Sequence, residues 1–303
     1  MSKVVVIKNP GLENPGRLAY VAMLKAGLAE FFGTGNPIPS LAQMFSSGAV
    51  GMKVNCLTRK FNSTPVALTG AFGDLLLEAG VTENNIVVWE RTNRELKDAG
   101  YELNASTFGR RCLGTDTNGL GYSSSFFNSG DVNSMISSIL TDLLKHNVNM
   151  PILKDHSLAG LSGCFKNMYG AIHNPNKYHD NNCDPYAAHV SNLAPIREKT
   201  RLIIMDAVRI QYNNGPGYDS RYLANYGGLI IARDPVAADT IALEIMENFR
   251  AKNKLTDLKG AGRPAKHIKT GESLGLGVAT RDKIDLKVIV MDNNGRISNG
   301  ELT

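Results

Sequence analysis

No Cys-x-x-Cys pair occurs in this sequence, and its four cysteines, Cys56, Cys112, Cys164 and Cys183, are widely scattered. A zinc ribbon and a local ferredoxin motif both need cysteines spaced to reach one centre, so neither is present. The four read as free thiols in or near the core, and a disulfide would require an oxidising compartment. No apolar run is long enough to cross a bilayer, and no apolar signal region precedes the first predicted strand, Val4–Ile7. As written the chain reads as soluble and cytoplasmic. A periplasmic or extracellular location is the expectation if an export signal has been removed. No cluster of basic residues accompanies the formal charge of +5, which comes from 33 basic and 28 acidic residues spread along the chain. Arg110-Arg111 is too small a patch for a nucleic-acid surface, and the balance suits a mild attraction for anionic ligands. A Walker loop and a Gly-x-Ser-x-Gly elbow are missing. Gly119-Leu120-Gly121 and Gly275-Leu276-Gly277 lack the third glycine and the strand–helix setting of a dinucleotide fingerprint.

What is present is an alternation of short apolar runs and helical patterns over 303 residues, enough chain for a full core. Val4–Ile7, Ala49–Val54, Ile86–Trp89, Met150–Leu153, Leu202–Met205, Leu229–Ala232 and Leu286–Met291 read as strands. Helices are expected over Gly16–Phe32, from Thr64-Pro65 (threonine as cap) to Gly80, and after Asp234-Pro235. The clearest helical periodicity follows Asp131, where Val132, Met135, Ile136, Ile139, Leu140, Leu143 and Leu144 keep i, i+3, i+4, i+7 spacing. The fold class is therefore α/β, a mainly parallel sheet flanked by helices. Residues 1–303 form one such domain, with a smaller lobe expected at about 100–200. The Gly-, Ser-, Asn- and Asp-rich loops 115–128 and 174–186 are long enough to be functional.

Several strands exit into polar residues: Lys8-Asn9, Glu90-Arg91, Lys154-Asp155-His156, Asp206 and Arg233-Asp234. In parallel α/β sheets ligands bind beyond the carboxyl ends of the strands, where helix N-termini offer unpaired N–H donors. Three of the six histidines fall within the 26 residues Lys154–His179. Lysine, aspartate and histidine together can bind an anion, move a proton or ligate a metal. The bland alternative is an exposed loop whose polar residues cap turns. His173, His179 and Cys183, with spacings x5 and x3, are the candidate metal ligands; imidazole and thiolate suit zinc or iron, although the spacing matches no compact zinc signature. A cluster held by all four cysteines ranks lower. Asp206, followed by Arg209 and Tyr212, reads as a strand-end carboxylate beside an anion-holding loop, and Gly215-Pro216-Gly217 equally as a plain turn. Asp234 is most simply a helix cap, and Asp239 lies one turn into that helix.

Taken together, Val50–Cys56, Ser63-Thr64-Pro65, Lys154-Asp155-His156, Lys166–Gly170, Asp206-Ala207, Gly215-Pro216 and Asp234–Asp239 resemble the domain of unknown function 362 family. The likeness extends from Val4 to about Met291. It is to the twin-arginine-exported type, without the ferredoxin-like cysteine module or the signal that some relatives carry. The resemblance implies an α/β fold and a polar pocket, and it brings no established reaction. Carried onto this chain, it highlights Lys53, Asn55, Lys154, His156, Lys166, Asn167, Asp206 and Asp239.

The expected activity is a redox-linked or metal-assisted enzyme acting on a small anionic substrate. Lys154, Asp155, His156 and Asp206 are the catalytic candidates, with His156 as proton carrier or metal ligand oriented by Asp155 or Asp206. Lys53, Asn55, Lys166, Asn167, Arg209 and Asp239 are the binding candidates. The cofactor is unassigned; a divalent metal is the first choice and an iron–sulfur cluster the second. No nucleic acid or membrane span is expected, and a homo-oligomer is allowed. The alternative is a non-catalytic binding or extracellular assembly protein that uses its long loops for contacts between subunits.

Overall fold

The computed structural model describes residues 1–302. Its strands are β1 (Ser2–Lys8), β2 (Val50–Val54), β3 (Ile86–Glu90), β4 (Arg111–Gly114), β5 (Phe127–Ser129), β6 (Val132–Ser134) and β7 (His146–Met150). They continue with β8 (Ile152–His156), β9 (Gly160–Ser162), β10 (Thr200–Gln211), β11 (Leu223–Ala232), β12 (Ile284–Met291) and β13 (Ile297–Asn299). Eleven of them build one sheet in the order β13-β12-β1-β11-β10-β7-β2-β3-β4, with β8 beside β10 and β9 beside β8. Pairing is parallel from β10 through β7, β2 and β3 to β4, and between β1 and β12. Only β11, between β1 and β10, and the edge strands β9 and β13 run antiparallel to their neighbours. The fold is thus a mostly parallel α/β sheet, as its apolar strand runs imply.

Alternation along each strand sends successive side chains to opposite faces, and two apolar clusters result. Val4, Val6, Val87, Trp89, Ile203 and Met205 pack on one face with helix Pro235–Lys252. Val5, Ile7, Val50, Met52, Val88, Leu202 and Ile204 pack on the other with helices Arg17–Phe32 and Val66–Glu78. Asp234 caps helix Pro235–Lys252 by accepting from Ala237 N at 2.9 Å, as expected.

One sequence expectation fails outright. The periodic segment after Asp131 is not a helix but strand β6, two isolated bridges through Ile136 and Ser137, and a single π-helical turn at Ile139–Leu143. Val132, Ile136, Ile139, Leu140 and Leu144 are all buried, so the apolar periodicity is satisfied by a different backbone. The competing partners are tertiary: Ser137 N donates to Ala171 O, and the buried Ser137 hydroxyl meets Thr115 Oγ1 at 2.7 Å. Gly130, with φ of +50°, turns β5 into β6. Thr64 is no helix cap either. Its hydroxyl accepts from Asn55 N and donates to Met150 O, tying the end of β2 to the end of β7.

The feature that makes room for a site is Pro151. Strand β7 lies between β2 and β10 as far as Met150. Proline has no N–H to continue a ladder, and beyond it β8 pairs with β10 and β9 instead of β2. The sheet opens there, between the ends of β2 and β3 on one side and β8 on the other.

Candidate functional site

A crevice of about 160 Å³ occupies that opening, lined by Lys53, Asn55, Glu90, Lys154, His156, Lys166, Asn167, Tyr169 and His179 among others. Lys154 and His156 are two apart on β8 and line it together; Asp155, between them, faces the other way. Asp155 binds Arg263 and accepts from Gly215 N at 2.8 Å. It therefore anchors the Gly-Pro-Gly turn and does not orient His156.

Three lysines reach the crevice, and their environments differ. Lys53 Nζ lies 2.6 Å from Glu90 Oε1, with both side chains buried. Lys154 Nζ donates to Thr58 Oγ1 at 3.2 Å and to Asn62 O at 3.1 Å, and has no carboxylate within salt-bridge distance among the described residues. Burial pushes its ammonium down to about 7. Lys166 Nζ is 3.1 Å from His179 Nε2, 3.6 Å from Cys183 Sγ and 3.3 Å from the centre of the Tyr169 ring. It too lacks a carboxylate partner among the described residues, and burial lowers it to about 8.

Both histidines beside them are made less basic than a solvated imidazole. His156 Nδ1 accepts from Leu158 N (3.1 Å) and Ala159 N (3.2 Å), which leaves Nε2 to carry the ring proton. Burial, then Lys166 and His179, hold its basicity far below the usual imidazole range. His179 is lowered as well, by burial first and Lys166 second.

The floor is a polar network on β2 and β7. Asn167 Nδ2 donates to Asn149 Oδ1 (2.7 Å) and Lys53 O (3.1 Å), and Asn149 Nδ2 donates to Cys164 O (2.9 Å). Asn55 Oδ1 is buried without a partner, so the wall retains an acceptor for a ligand hydroxyl or amine. Behind the floor, Asp239 accepts from Cys164 N and Phe165 N and positions the short helix that carries Lys166. Asp239 supports the crevice without touching it.

Of the ten expected catalytic and binding residues, Lys53, Asn55, Lys154, His156, Lys166 and Asn167 come together. Asp206 and Arg209 do not. Strand β10 runs on to Gln211, so Asp206 is mid-strand and faces the opposite side, where Tyr20 OH meets its Oδ1 at 3.2 Å. It lines a separate cavity of about 380 Å³ with Arg209, Lys60 and Asn62, and burial raises its carboxyl to about 7. Nor do all five polar strand exits converge. Arg233-Asp234 lies at the far end of the sheet because β11 is antiparallel to β10, and Lys8 sits over the Tyr226 ring. Glu90, Thr58, Asn62 and Tyr169 belong to the crevice or its supports and were missed as site residues. Glu90 was marked by its strand exit; Thr58 and Asn62 act through tertiary contacts that leave no local pattern.

The candidate metal set is not assembled. His179 and Cys183 flank the Lys166 ammonium, whereas His173 accepts from Met135 N at 3.3 Å and packs by Tyr122 and Phe126. Among the described residues no three His, Cys, Asp or Glu side chains converge on one point. The cysteines divide between the two faces, Cys56 and Cys112 on one and Cys164 and Cys183 on the other, so they do not form a four-thiolate cage.

The fold and crevice define a mixed α/β protein with a lysine- and histidine-lined site at its strand ends. Residues 50–244 match the model of a family described as "Domain of unknown function (DUF362)", and the chain belongs to that family. No curated protein matches the chain. A solved structure similar to it is that of a protein from Thermotoga maritima, 12% identical with a TM-score of 0.36. The alignment covers 72% of this chain and 59% of the Thermotoga maritima chain. No helix among the described residues is long and apolar enough to cross a membrane.

Proposed function

We propose that the crevice binds a small anionic substrate and that the protein is an enzyme acting on it by proton transfer. One observation carries this reading: two buried lysines, Lys154 and Lys166, line the same small cavity, and among the described residues no carboxylate pairs with either. A buried ammonium without a counter-ion is costly, and an incoming anion would supply the missing partner. Neutral His156, with its proton on Nε2, is placed to hydrogen-bond the ligand, and Lys154 and Lys166, lowered to about 7 and about 8, are the groups able to give up a proton near neutral pH. Lys53 stays paired with Glu90, and Asn55 and Asn167 shape the wall. The redox-linked or metal-assisted chemistry expected from the sequence gains no support from the candidate ligand set, because His173 lies elsewhere.

The test is calorimetric titration with sulfate, phosphate and small carboxylates, repeated on Lys166→Met. Binding in the native protein that drops at least tenfold in the variant supports the crevice as an anion site. No binding of any of these anions, or binding unchanged by Lys166→Met, sinks it. Anion binding without turnover of any bound compound would favour the non-catalytic alternative.

A further inference from the structure

Extending the anion-binding role proposed above, we propose that the substrate is a small 2-oxo acid and that Lys154 forms an imine with its carbonyl carbon. The two unpaired lysines are not equivalent. Lys166 is built as a lasting cation: its nitrogen stands 3.3 Å from the centre of the Tyr169 ring face, which attracts positive charge and repels a lone pair. Its remaining neighbours, His179 Nε2 and Cys183 Sγ, accept from it. It suits a substrate carboxylate.

Lys154 is built differently. The Thr58 hydroxyl proton is given to Asn62 O, so Thr58 Oγ1 is left to accept from Lys154. Asn62 O accepts from it as well. Two N–H bonds are thereby fixed on fixed acceptors, and one position on the nitrogen is left over. Among the described residues no π face or carboxylate holds that position as a third N–H. In the neutral amine it is the lone pair, and Lys154 is among the residues that line the crevice. The lowering of Lys154 by burial agrees with an amine that is available near neutral pH.

The step balances without any further reagent. The Lys154 lone pair forms the C–N bond as the carbonyl π bond breaks, and the oxygen takes up the proton that the new ammonium nitrogen sheds, giving a carbinolamine. The hydroxyl leaves as water on a proton taken from solvent, with the His156 Nε2–H placed to hydrogen-bond the departing oxygen while the ring keeps its own proton. In sum, amine, carbonyl compound and one proton give an iminium ion and water. His156 follows Lys154 by two residues on the same strand face, so donor and nucleophile share one wall.

The experiment uses the whole chain with pyruvate and with glyoxylate, each reduced by sodium cyanoborohydride, followed by peptide mass mapping. One reduced adduct per chain on Lys154, suppressed by excess sulfate, is the expected result. Lys154→Arg, which can keep donating to Asn62 O but cannot form an imine, should lose the adduct while still binding sulfate. Calorimetric binding of pyruvate or glyoxylate with no adduct on Lys154 overturns the imine and leaves the anion site standing. An adduct confined to Lys166 or to surface lysines also overturns it. Failure of every anion to bind removes both the imine and the site it occupies.

Discussion

Lys53 and Glu90 form an ion pair of 2.6 Å in which both side chains are almost wholly withdrawn from water. The pair cancels one of the three lysine charges at the crevice, which leaves Lys154 and Lys166 to set its potential. Glu90 also accepts from Cys56 N at 3.2 Å, so it braces the turn after β2. Replacing it by glutamine keeps the shape and strands the Lys53 ammonium. Glu90→Gln is therefore expected to lower stability by about 3–5 kcal/mol, the usual consequence of removing one partner of a buried pair. Chemical denaturation checks this. The same variant should bind sulfate more tightly, because Lys53 is then free to share the anion. Weaker binding would show that Lys53 faces away from it.

Anion affinity should depend on pH in a range unusual for lysine. Burial brings Lys154 down to about 7 and Lys166 down to about 8, against 10.5 for a solvated lysine. Both must be protonated to present charge, so affinity should be highest below pH 7. It should fall as pH rises through 7 and 8, first by loss of the Lys154 proton and then of the Lys166 proton. His156 is held far below the usual imidazole range by burial and neighbouring positive charge, so it adds no rise on the acid side, and burial and then Lys166 lower His179 as well. Calorimetry with sulfate from pH 6 to pH 9 measures the profile. A flat profile over that range would mean that solvated lysines hold the anion.

Much of this arrangement was legible in the residues, and the parts that were not share a cause. Apolar runs such as Val4–Ile7 and Ile86–Trp89 marked strands because a buried parallel strand must be apolar on both faces. The Lys154–His156 exit marked the crevice because charged residues directly after such a run have few other places to go. What failed was direction. Asp155 and Asp206 were read with their neighbours, yet alternation puts Asp155 behind the site and Asp206 on the opposite face. Sequence gave no sign that β10 continues through Asp206 as a twelve-residue strand. His173 and His179 are six positions apart, but the intervening loop turns His173 towards Ser134 instead (3.2 Å). The helical periodicity after Asp131 reported burial correctly at five of its seven positions, with Met135 and Leu143 half-buried, and conformation wrongly, because Ser134 and Ser137 supply hydrogen bonds that a helix would not use.

The Asp206 carboxyl gives a stability prediction of definite sign. Burial is the main cause of its rise to about 7, opposed by the Val208 N–H and Tyr20 hydroxyl. In the unfolded chain the group ionises near the ordinary aspartate value, so between about pH 4 and pH 7 the unfolded state has lost a proton that the folded state retains. Stability from this group is thus present at low pH and is lost as pH rises through that window. Asp206→Asn keeps an oxygen to accept from Tyr20 and Val208 but cannot ionise. It should unfold at a higher temperature than the native protein at pH 8, with the gain shrinking towards pH 4. Thermal melts at both pH values measure the difference. An equal shift at both would point to packing rather than ionisation.

Gly170 tests how tightly the Lys53–Glu90 pair is confined. A Cβ at this position would come within 2.5 Å of Glu90 Oε1 and 2.8 Å of Lys53 Nζ, so the backbone passes the pair at a distance only glycine allows. Gly170→Ala must push one partner aside, and overpacking of this kind costs about 1–3 kcal/mol. If the loss arises from the ion pair, it should not add to the loss from Glu90→Gln, because a pair already broken cannot be broken again. The double variant should then be less destabilised than the sum of the singles in denaturation experiments. Simple additivity would instead place the clash in the loop around Gly170 and leave the pair intact in the alanine variant.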